Sequence, residues 1–333
     1  MQVNSLETSS LTLVIPVYGE SPYLVQALDS TLPLLASNTR LLVIDDGMSV
    51  NALNFLQNWL DSTPSDLIMY VKNPSNLGLF KSLNTNLSLV ETEWFCFLCS
   101  DDYFLSDAIH KIQKLSISSD VGVVLSRFQS VNSDSSNRYD DAQDLSKLIS
   151  QYGYTLSPDH MLHSLLCFGS LNGNLSGMII SKNLWDYIGG FKEDWFHAAD
   201  WDWLVNASNL CWTQINPQCL VAVRTHKNQL STKNQQNGSP VLEAVTVIKQ
   251  LRKQTHSQNQ WLSLWWASCL MQHHLWNLLF ANPTRRDYKK SKQLLLAIQT
   301  AAPLWAVFVA MIVSIPHRIY RKTLILLVSC FGE

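Results

Sequence analysis

Apolar residues fall in short unbroken runs through the first half of the chain and in long helical stretches near its end. Leu11-Thr12-Leu13-Val14-Ile15-Pro16 is apolar and β-branched, which predicts a buried strand stopped by the proline. Ser21 then offers an N-cap with Pro22 at the first helical position, and Leu24, Ala27, Leu28 and Leu32 continue at helical spacing. Leu41-Leu42-Val43-Ile44 predicts a second strand running into Asp45-Asp46-Gly47, followed by a helix through Leu53, Leu56, Trp59 and Leu60. Leu67–Val71 predicts a third strand, with a helix from about Leu79 to Leu89. Trp94-Phe95-Cys96-Phe97-Leu98-Cys99 predicts a fourth, buried strand. Alternating strands and helices predict an α/β fold with a mainly parallel sheet.

From Arg127 to about Tyr152 the chain turns polar without a clear period, as a long surface excursion does. Glycines 169, 173, 177, 189 and 190 then break up short apolar runs. Residues 227–240, rich in Gln, Asn and Ser, read as a linker. These boundaries predict an α/β domain over residues 1–235 and a helical region over residues 236–333.

With 333 residues, 47% of them apolar, the chain has enough for a sizeable core and about two domains. The net charge of −2 gives no basic excess for nucleic acid, but it conceals a division. Residues 1–200 carry 10 basic and 22 acidic side chains, and residues 201–333 carry 14 basic and 4 acidic. Seven cysteines, an odd number, point to a reducing compartment rather than a disulfide scaffold. Cys96 and Cys99 form a CxxC without a second pair and read as strand packing. The first residues lack the basic and apolar regions of a signal peptide.

In parallel α/β sheets, ligands bind beyond the carboxyl ends of the strands. There the sequence places Val17-Tyr18-Gly19-Glu20, Asp45-Asp46-Gly47 and Ser100-Asp101-Asp102-Tyr103. A single Asp pair reads most simply as a cap or turn acid. Two pairs at matching strand ends need a divalent cation or hydrogen-bonding partners to offset their repulsion. Walker, dinucleotide-binding GxGxxG and nucleophile-elbow motifs are all missing from the sequence.

In this order and spacing, the motifs resemble family 2 glycosyltransferases. They are Leu13–Tyr18, Val43–Gly47, Asn76-Leu77-Gly78 with Asn84, Ser100-Asp101-Asp102, Gly189-Gly190-Phe191 and Asp200-Trp201-Asp202. The resemblance covers about residues 11–231. It implies a GT-A fold that binds a nucleotide-diphospho-sugar and transfers the sugar with inversion. By this resemblance Tyr18 stacks on the base beside the Pro16 backbone, Asp46 and Asp45 hydrogen-bond the base, and Asp101 lies at the ribose. Asp102 ligates Mn2+ or Mg2+, with His226 of Arg224-Thr225-His226 as a further ligand, and Asp200 is the general base. The chain departs from the pattern in four places. Cys99 stands for the first acid of the family's DxDD, Gly19 for Asn, and Met48 interrupts Asp-Asp-Gly-Ser. Ala199 replaces the Glu before the base, a loss for which Asp202 could substitute. Trp195 is the candidate for stacking on the acceptor, Trp203 for core packing, and His160 with His163 for no metal.

Four of the twelve tryptophans lie within residues 260–281. The basic cluster Arg285, Arg286, Lys289, Lys290 and Lys292 follows, then 23 uncharged residues from Leu294 to Pro316. Arg318, Arg321 and Lys322 precede the apolar Leu324–Phe331. A span normally has one basic flank, so basic residues on both sides predict helices that lie in the plane of an anionic membrane or re-enter it. The expected protein is a metal-dependent glycosyltransferase in the cytoplasm, at the inner face of the membrane. It would take a glycan or lipid-linked glycan acceptor for cell-surface polysaccharide. The alternatives are transfer to a polyprenyl phosphate, or an inactive nucleotide-sugar-binding module.

Overall fold

The computed structural model describes residues 3–63, 65–138, 144–171, 175–226, 239–255, 260–280 and 288–314. Their contacts divide into two compact units. A sheet unit comprises Met1–Pro158, Asn172–Asp194 and Asn206–Lys227. A helical unit comprises Asp159–Leu171, Trp195–Val205 and the described residues from 239 onward. The boundary expected at residue 235, residues 227–238 of the expected linker, the clusters at Arg285–Arg286 and Arg318–Lys322, and Leu324–Phe331 fall outside the described residues, while Ser239 and Pro240 already belong to the helix Ser239–Thr255.

The strands of the sheet unit are β1 (Val3–Ser5), β2 (Leu11–Gly19), β3 (Arg40–Met48), β4 (Ile68–Lys72), β5 (Trp94–Phe97) and β6 (Tyr103–Phe104). They continue with β7 (Ser116–Ser118), β8 (Val121–Val131), β9 (Thr155–Leu156), β10 (Ile179–Ser181) and β11 (Trp212–Arg224). Helices α1 (Leu24–Asp29), α2 (Leu32–Leu35), α3 (Val50–Ser62), α4 (Leu79–Asn86) and α5 (Ala108–Gln113) fill the early connections. α6 (Asp144–Tyr152), α7 (Pro158–Phe168), α8 (Lys182–Ile188) and α9 (Ala199–Ala207) follow.

Nine strands form one sheet in the order β4-β3-β2-β5-β10-β8-β11-β6, with β9 also on β11. β2 pairs in parallel with β3 and β5, and β3 with β4. β10 is antiparallel to both β5 and β8, and β11 is parallel to β8. Two reversals cancel, so β4, β3, β2, β5, β8 and β11 all run the same way and their carboxyl ends share one edge. Leu13, Leu41, Val43 and Cys96 pack beneath that edge with Leu28, Leu56 and Ile179 in one buried cluster.

The structure corrects several expectations. Pro16 does not stop β2, which continues to Gly19 while paired with β3. Val14 accepts from Leu98 N–H on the β5 side, so Pro16, two residues on, turns its missing N–H toward the same side. There β5 has already ended at Phe97, and no ladder bond is lost. Ser21 does not cap a helix. It sits at φ +35°, its carbonyl accepts from Leu24 N–H, and α1 starts at Leu24. The excursion expected over Arg127–Tyr152 is largely ordered, since β8 runs to Val131 and α6 covers Asp144–Tyr152. Cys99 lies past the end of β5, outside the core that holds Cys96.

The helical unit contains most of α7 and of α9, and α10 (Ser239–Thr255), α11 (Gln260–Phe280), α12 (Tyr288–Ala301) and α13 (Leu304–Val313). No single described helix is long and apolar enough to cross a membrane. The uncharged stretch from Leu294 breaks at Pro303, the N-cap of α13, and the two helices there meet at 89°.

Candidate active site

β3 ends in two carboxylates that are buried and fully engaged. Asp45 Oδ1 accepts from Gly47 N–H (2.9 Å) and Met48 N–H (2.7 Å), and its Oδ2 accepts from Tyr70 Oη (2.9 Å). Burial, then the bond to Asp45, pushes the Tyr70 hydroxyl up to about 12, so it stays a donor. Asp46 accepts from Leu77 N–H (2.8 Å), Gly78 N–H (2.9 Å) and Asn73 Nδ2 (2.9 Å). Asn73 in turn donates to Ser82 Oγ and accepts from Asn86 Nδ2, which ties the Asn76-Leu77-Gly78 turn to α4. The repulsion expected of the Asp45-Asp46 pair is therefore offset by N–H and O–H donors. Tyr18, at the end of β2, is 53% exposed. A Cβ built at Gly47, where φ is +101°, would lie 3.7 Å from its ring.

The second acidic pair comes after β5. Register puts it there, because β6 runs antiparallel to β11 with Tyr103 opposite Ala222 and Phe104 opposite Val221. Extending that pairing brings Asp101 and Asp102 beside Val223 and Arg224. Asp102 is 1% exposed, and its Oδ1 accepts from Arg224 N–H (2.8 Å) while its Oδ2 accepts from Ser176 Oγ (2.6 Å). Asp101 Oδ2 lies 3.0 Å from His226 Nε2. Cys99 Sγ and an oxygen of each aspartate lie within 4.8 Å of one another. The structure thus brings Asp101, Asp102 and His226 together and adds Cys99.

Arg224 braces this corner. Its guanidinium donates to the carbonyls of Asp101 (3.0 Å), Asn132 (3.1 Å) and Ser133 (2.9 Å) and to Gln26 Oε1 (2.6 Å), and it stacks 4.1 Å from the centre of the Tyr23 ring. Two further motifs meet at a distance in sequence. Asn84 Oδ1 accepts from Phe191 N–H and its Nδ2 donates to Phe191 O, both at 2.8 Å. Gly190 admits this contact, since a Cβ there would lie 2.1 Å from Asn84 Oδ1.

In the helical unit, Asp200 and Asp202 lie in the first turn of α9. Asp200 Oδ1 accepts from Trp201 N–H (2.8 Å). Burial, with a smaller push from the charge of Glu243, raises the Asp200 carboxyl to about 6, although backbone hydrogen bonds oppose the rise. Glu243 of α10 is 6% exposed. Its Oε1 accepts from Phe196 N–H (3.0 Å), and its Oε2 accepts from His197 N–H (2.8 Å) and Ala198 N–H (2.9 Å). A carboxylate that accepts from the three amides leading into α9 fixes that turn and suits the helix dipole. Burial, then the charges of His273 and His197, pushes His274 down to about 4 and keeps it neutral. Asp202 is buried, Trp203 is 1% exposed as expected of a core residue, and Trp195 is half-buried. His163 Nδ1 lies 2.9 Å from the Asp159 carbonyl, within its own helix.

Sequence reasoning missed Ser176, Glu243 and the bracing role of Arg224. Ser176 carries no local signal. Glu243 has one, as one of only 4 acids among the last 133 residues.

Residues 12–170 match the family model described as glycosyl transferase family 2. An uncharacterised glycosyltransferase of Haemophilus influenzae is 28% identical over 101 residues, 30% of this chain and 40% of that protein. Glycosyltransferase GlyA of Streptococcus pneumoniae is 24% identical over 127 residues, 38% of this chain and 18% of that protein. The match thus spans less than half the length of either curated relative. A second uncharacterised H. influenzae glycosyltransferase is 23% identical over 227 residues, 67% of each chain. Residues 1–349 of TarS from S. aureus, solved with UDP-GlcNAc, superpose with TM-score 0.58 at 15% identity, covering 89% of this chain and 82% of that one. The mannosyltransferase PcManGT of Pyrobaculum calidifontis, solved with GDP-Man and Mn2+, gives 0.56 at 14% identity, covering 89% and 87%. The sheet therefore has the GT-A fold, and residues 12–170 within it carry the similarity to glycosyl transferase family 2.

Proposed function

We propose that this glycosyltransferase moves a sugar, with inversion, from a nucleotide-diphospho-sugar to a hydroxyl of a glycan or lipid-linked glycan, in cell-surface polysaccharide synthesis. The observation that carries the reading is the grouping of Asp101, Asp102 and Cys99 at the carboxyl edge of the sheet. Its two carboxylates fit Mn2+ or Mg2+, while the soft Cys99 sulfur does not. Carboxylate oxygens, as Asp101 and Asp102 offer, and imidazole, as His226 offers, both suit Mn2+. Asp101 and Asp102 would hold the ion, with His226 beside them. Bound there, it would offset the charge gathering on the departing nucleoside diphosphate. The complexes of TarS with UDP-GlcNAc and of PcManGT with GDP-Man and Mn2+ support this donor class.

The chain's own residues do the remaining work. Tyr18 offers an exposed ring for the base, next to Pro16. Asp45 and Asp46 would serve base recognition by holding the turns at Gly47-Met48 and Leu77-Gly78. Asp200, with its carboxyl at about 6, is mostly ionised at neutral pH and still basic enough to take the acceptor's proton. As that proton leaves, the acceptor oxygen bonds to the anomeric carbon, and the bond from that carbon to the diphosphate oxygen breaks on the opposite face. That single displacement inverts the centre.

The test is a panel of UDP- and GDP-sugars with Mn2+ or Mg2+, measured by donor binding and by nucleoside diphosphate release with and without lipid extract. Asp102→Ala should abolish metal-dependent donor binding. Asp200→Asn should bind donor normally and lose turnover by about 10²–10⁴-fold. Chelator-insensitive donor binding, or full turnover by Asp200→Asn, would refute the assignment. Transfer to a lipid phosphate would replace the hydroxyl acceptor, and donor binding without release under any condition would mark a binding module.

A further inference from the structure

α13 is apolar on both of its sides. Ala306, Val307, Ala310 and Met311 are buried within the helical unit, where α13 packs on α11 and Ser314 donates to Gln272 of that helix. Trp305, Phe308, Val309, Ile312 and Val313 form the opposite stripe at spacings of i, i+3, i+4, i+7 and i+8. All five are exposed, Trp305 to 64% and Val313 to 60%. A surface helix of a water-soluble unit normally turns polar residues outward. α12 largely obeys that rule, burying Leu294, Ile298 and Ala301 while exposing Lys289, Lys292, Gln293, Gln299 and Thr300, with Leu296 the apolar exception. α13 breaks it along its whole length.

The helix is also too short to span. Ten residues extend about 15 Å, half the ~30 Å of a hydrocarbon core, and α12 meets the helix at 89° across Pro303, so the pair could enter a bilayer together only as a broken span or a re-entrant loop. A short helix with one wholly apolar outer face and an indole at its start suits the headgroup–acyl boundary. Charge selects the lipid. Lys289, Lys290 and Lys292 stand at the start of α12, Arg285 and Arg286 precede it in sequence, and Arg318, Arg321 and Lys322 follow α13. Cations on both sides of an uncharged apolar stretch complement lipid phosphates.

We propose that the outer face of α13, formed by Trp305, Phe308, Val309, Ile312 and Val313, docks in the plane of an anionic lipid bilayer, with the α12 lysines meeting lipid phosphates. This docking surface is independent of the donor chemistry proposed above. It keeps the protein at the surface where lipid-linked acceptors reside and leaves it no transmembrane span between residues 288 and 314.

The full chain tests it, by co-sedimentation with phosphatidylcholine vesicles with and without added phosphatidylglycerol. Wild type should partition onto the anionic vesicles at least about tenfold better than onto the neutral ones, less so in high salt. The triple substitution Trp305→Asn, Phe308→Asn, Ile312→Asn should lose about tenfold or more of that binding. Its far-UV circular dichroism should stay unchanged, because all three side chains face outward. Lys289→Glu with Lys292→Glu should lose the preference for anionic lipid. Wild-type tryptophan fluorescence should also be quenched by brominated lipid, and less so after Trp305→Phe, a readout that survives poor folding of the triple variant. Equal vesicle binding by the triple variant, or no quenching, would overturn the proposal. So would a vesicle-free dimer that the triple substitution dissociates, which would assign the face to a second copy of the chain.

Discussion

Asp200 is held in a place that suits its neutral form better than its charged one, and the penalty can be measured without any substrate. A carboxyl raised from its ordinary 3.8 to about 6 makes the ionised fold roughly 3 kcal/mol less stable, at ~1.4 kcal/mol per pH unit. Its folded pKa lies above its unfolded one, which sets the sign. Below about pH 4 both states hold the proton and there is no penalty. Between about 4 and 6 the unfolded chain releases the proton first, and above about 6 the whole penalty applies. Asn is a neutral isostere whose Oδ1 can still accept from Trp201 N–H. Asp200→Asn should therefore stabilise the protein by about 2–3 kcal/mol near pH 8 and by almost nothing near pH 4. Urea unfolding followed by tryptophan fluorescence at the two pH values, for both proteins, measures this directly. Wild-type turnover should rise with pH through about 6, since the base must be ionised to act. If Asp200→Asn is equally stable relative to wild type at both pH values, the surroundings of Asp200 do not disfavour its charge, and its assignment as a tuned base fails.

Glu243→Ala leaves the amides of Phe196, His197 and Ala198 without their acceptor in a buried setting, and should cost about 3–5 kcal/mol in denaturant unfolding. Glu243→Gln, which removes only the charge, should cost less and move the midpoint of the turnover–pH profile below about 6, because Glu243 pushes Asp200 upward. Gly190→Ala forces the Asn84 side chain away from Phe191 and should cost about 2–4 kcal/mol by thermal or chemical melting. With Asn84→Ala already present the same substitution should cost far less, so the double-mutant cycle should be strongly non-additive.

The match of motifs to sheet was legible because parallel strands buried on both faces must be short continuous apolar runs, and the residues just after each run must lie at one edge. That logic located Tyr18, Asp45, Asp46, Asp101 and Asp102. It misread their neighbours wherever the deciding contact came from elsewhere in the chain. Pro16 reads as the end of a strand because the sequence does not record that β5 stops beside it. Cys99 reads as core because it comes directly after a buried run, whereas the chain has already left the sheet there.

The sequence by itself determined the α/β alternation, the motifs that resemble family 2 glycosyltransferases and the acidic residues of the edge, since apolar period and motif spacing are local properties. It also contained the uncharged stretch flanked by cations. Only the tertiary structure decided which carboxylates are spoken for. Asp46 holds the Leu77-Gly78 turn, Asp102 is held by Ser176 and the Arg224 amide, and Glu243 reaches the start of the Asp200 helix from more than forty residues away. Hydrogen bonds and burial between distant segments depend on how the chain returns upon itself. Which face of α13 is left uncovered depends on the same packing, and no periodicity within ten wholly apolar residues could have shown it.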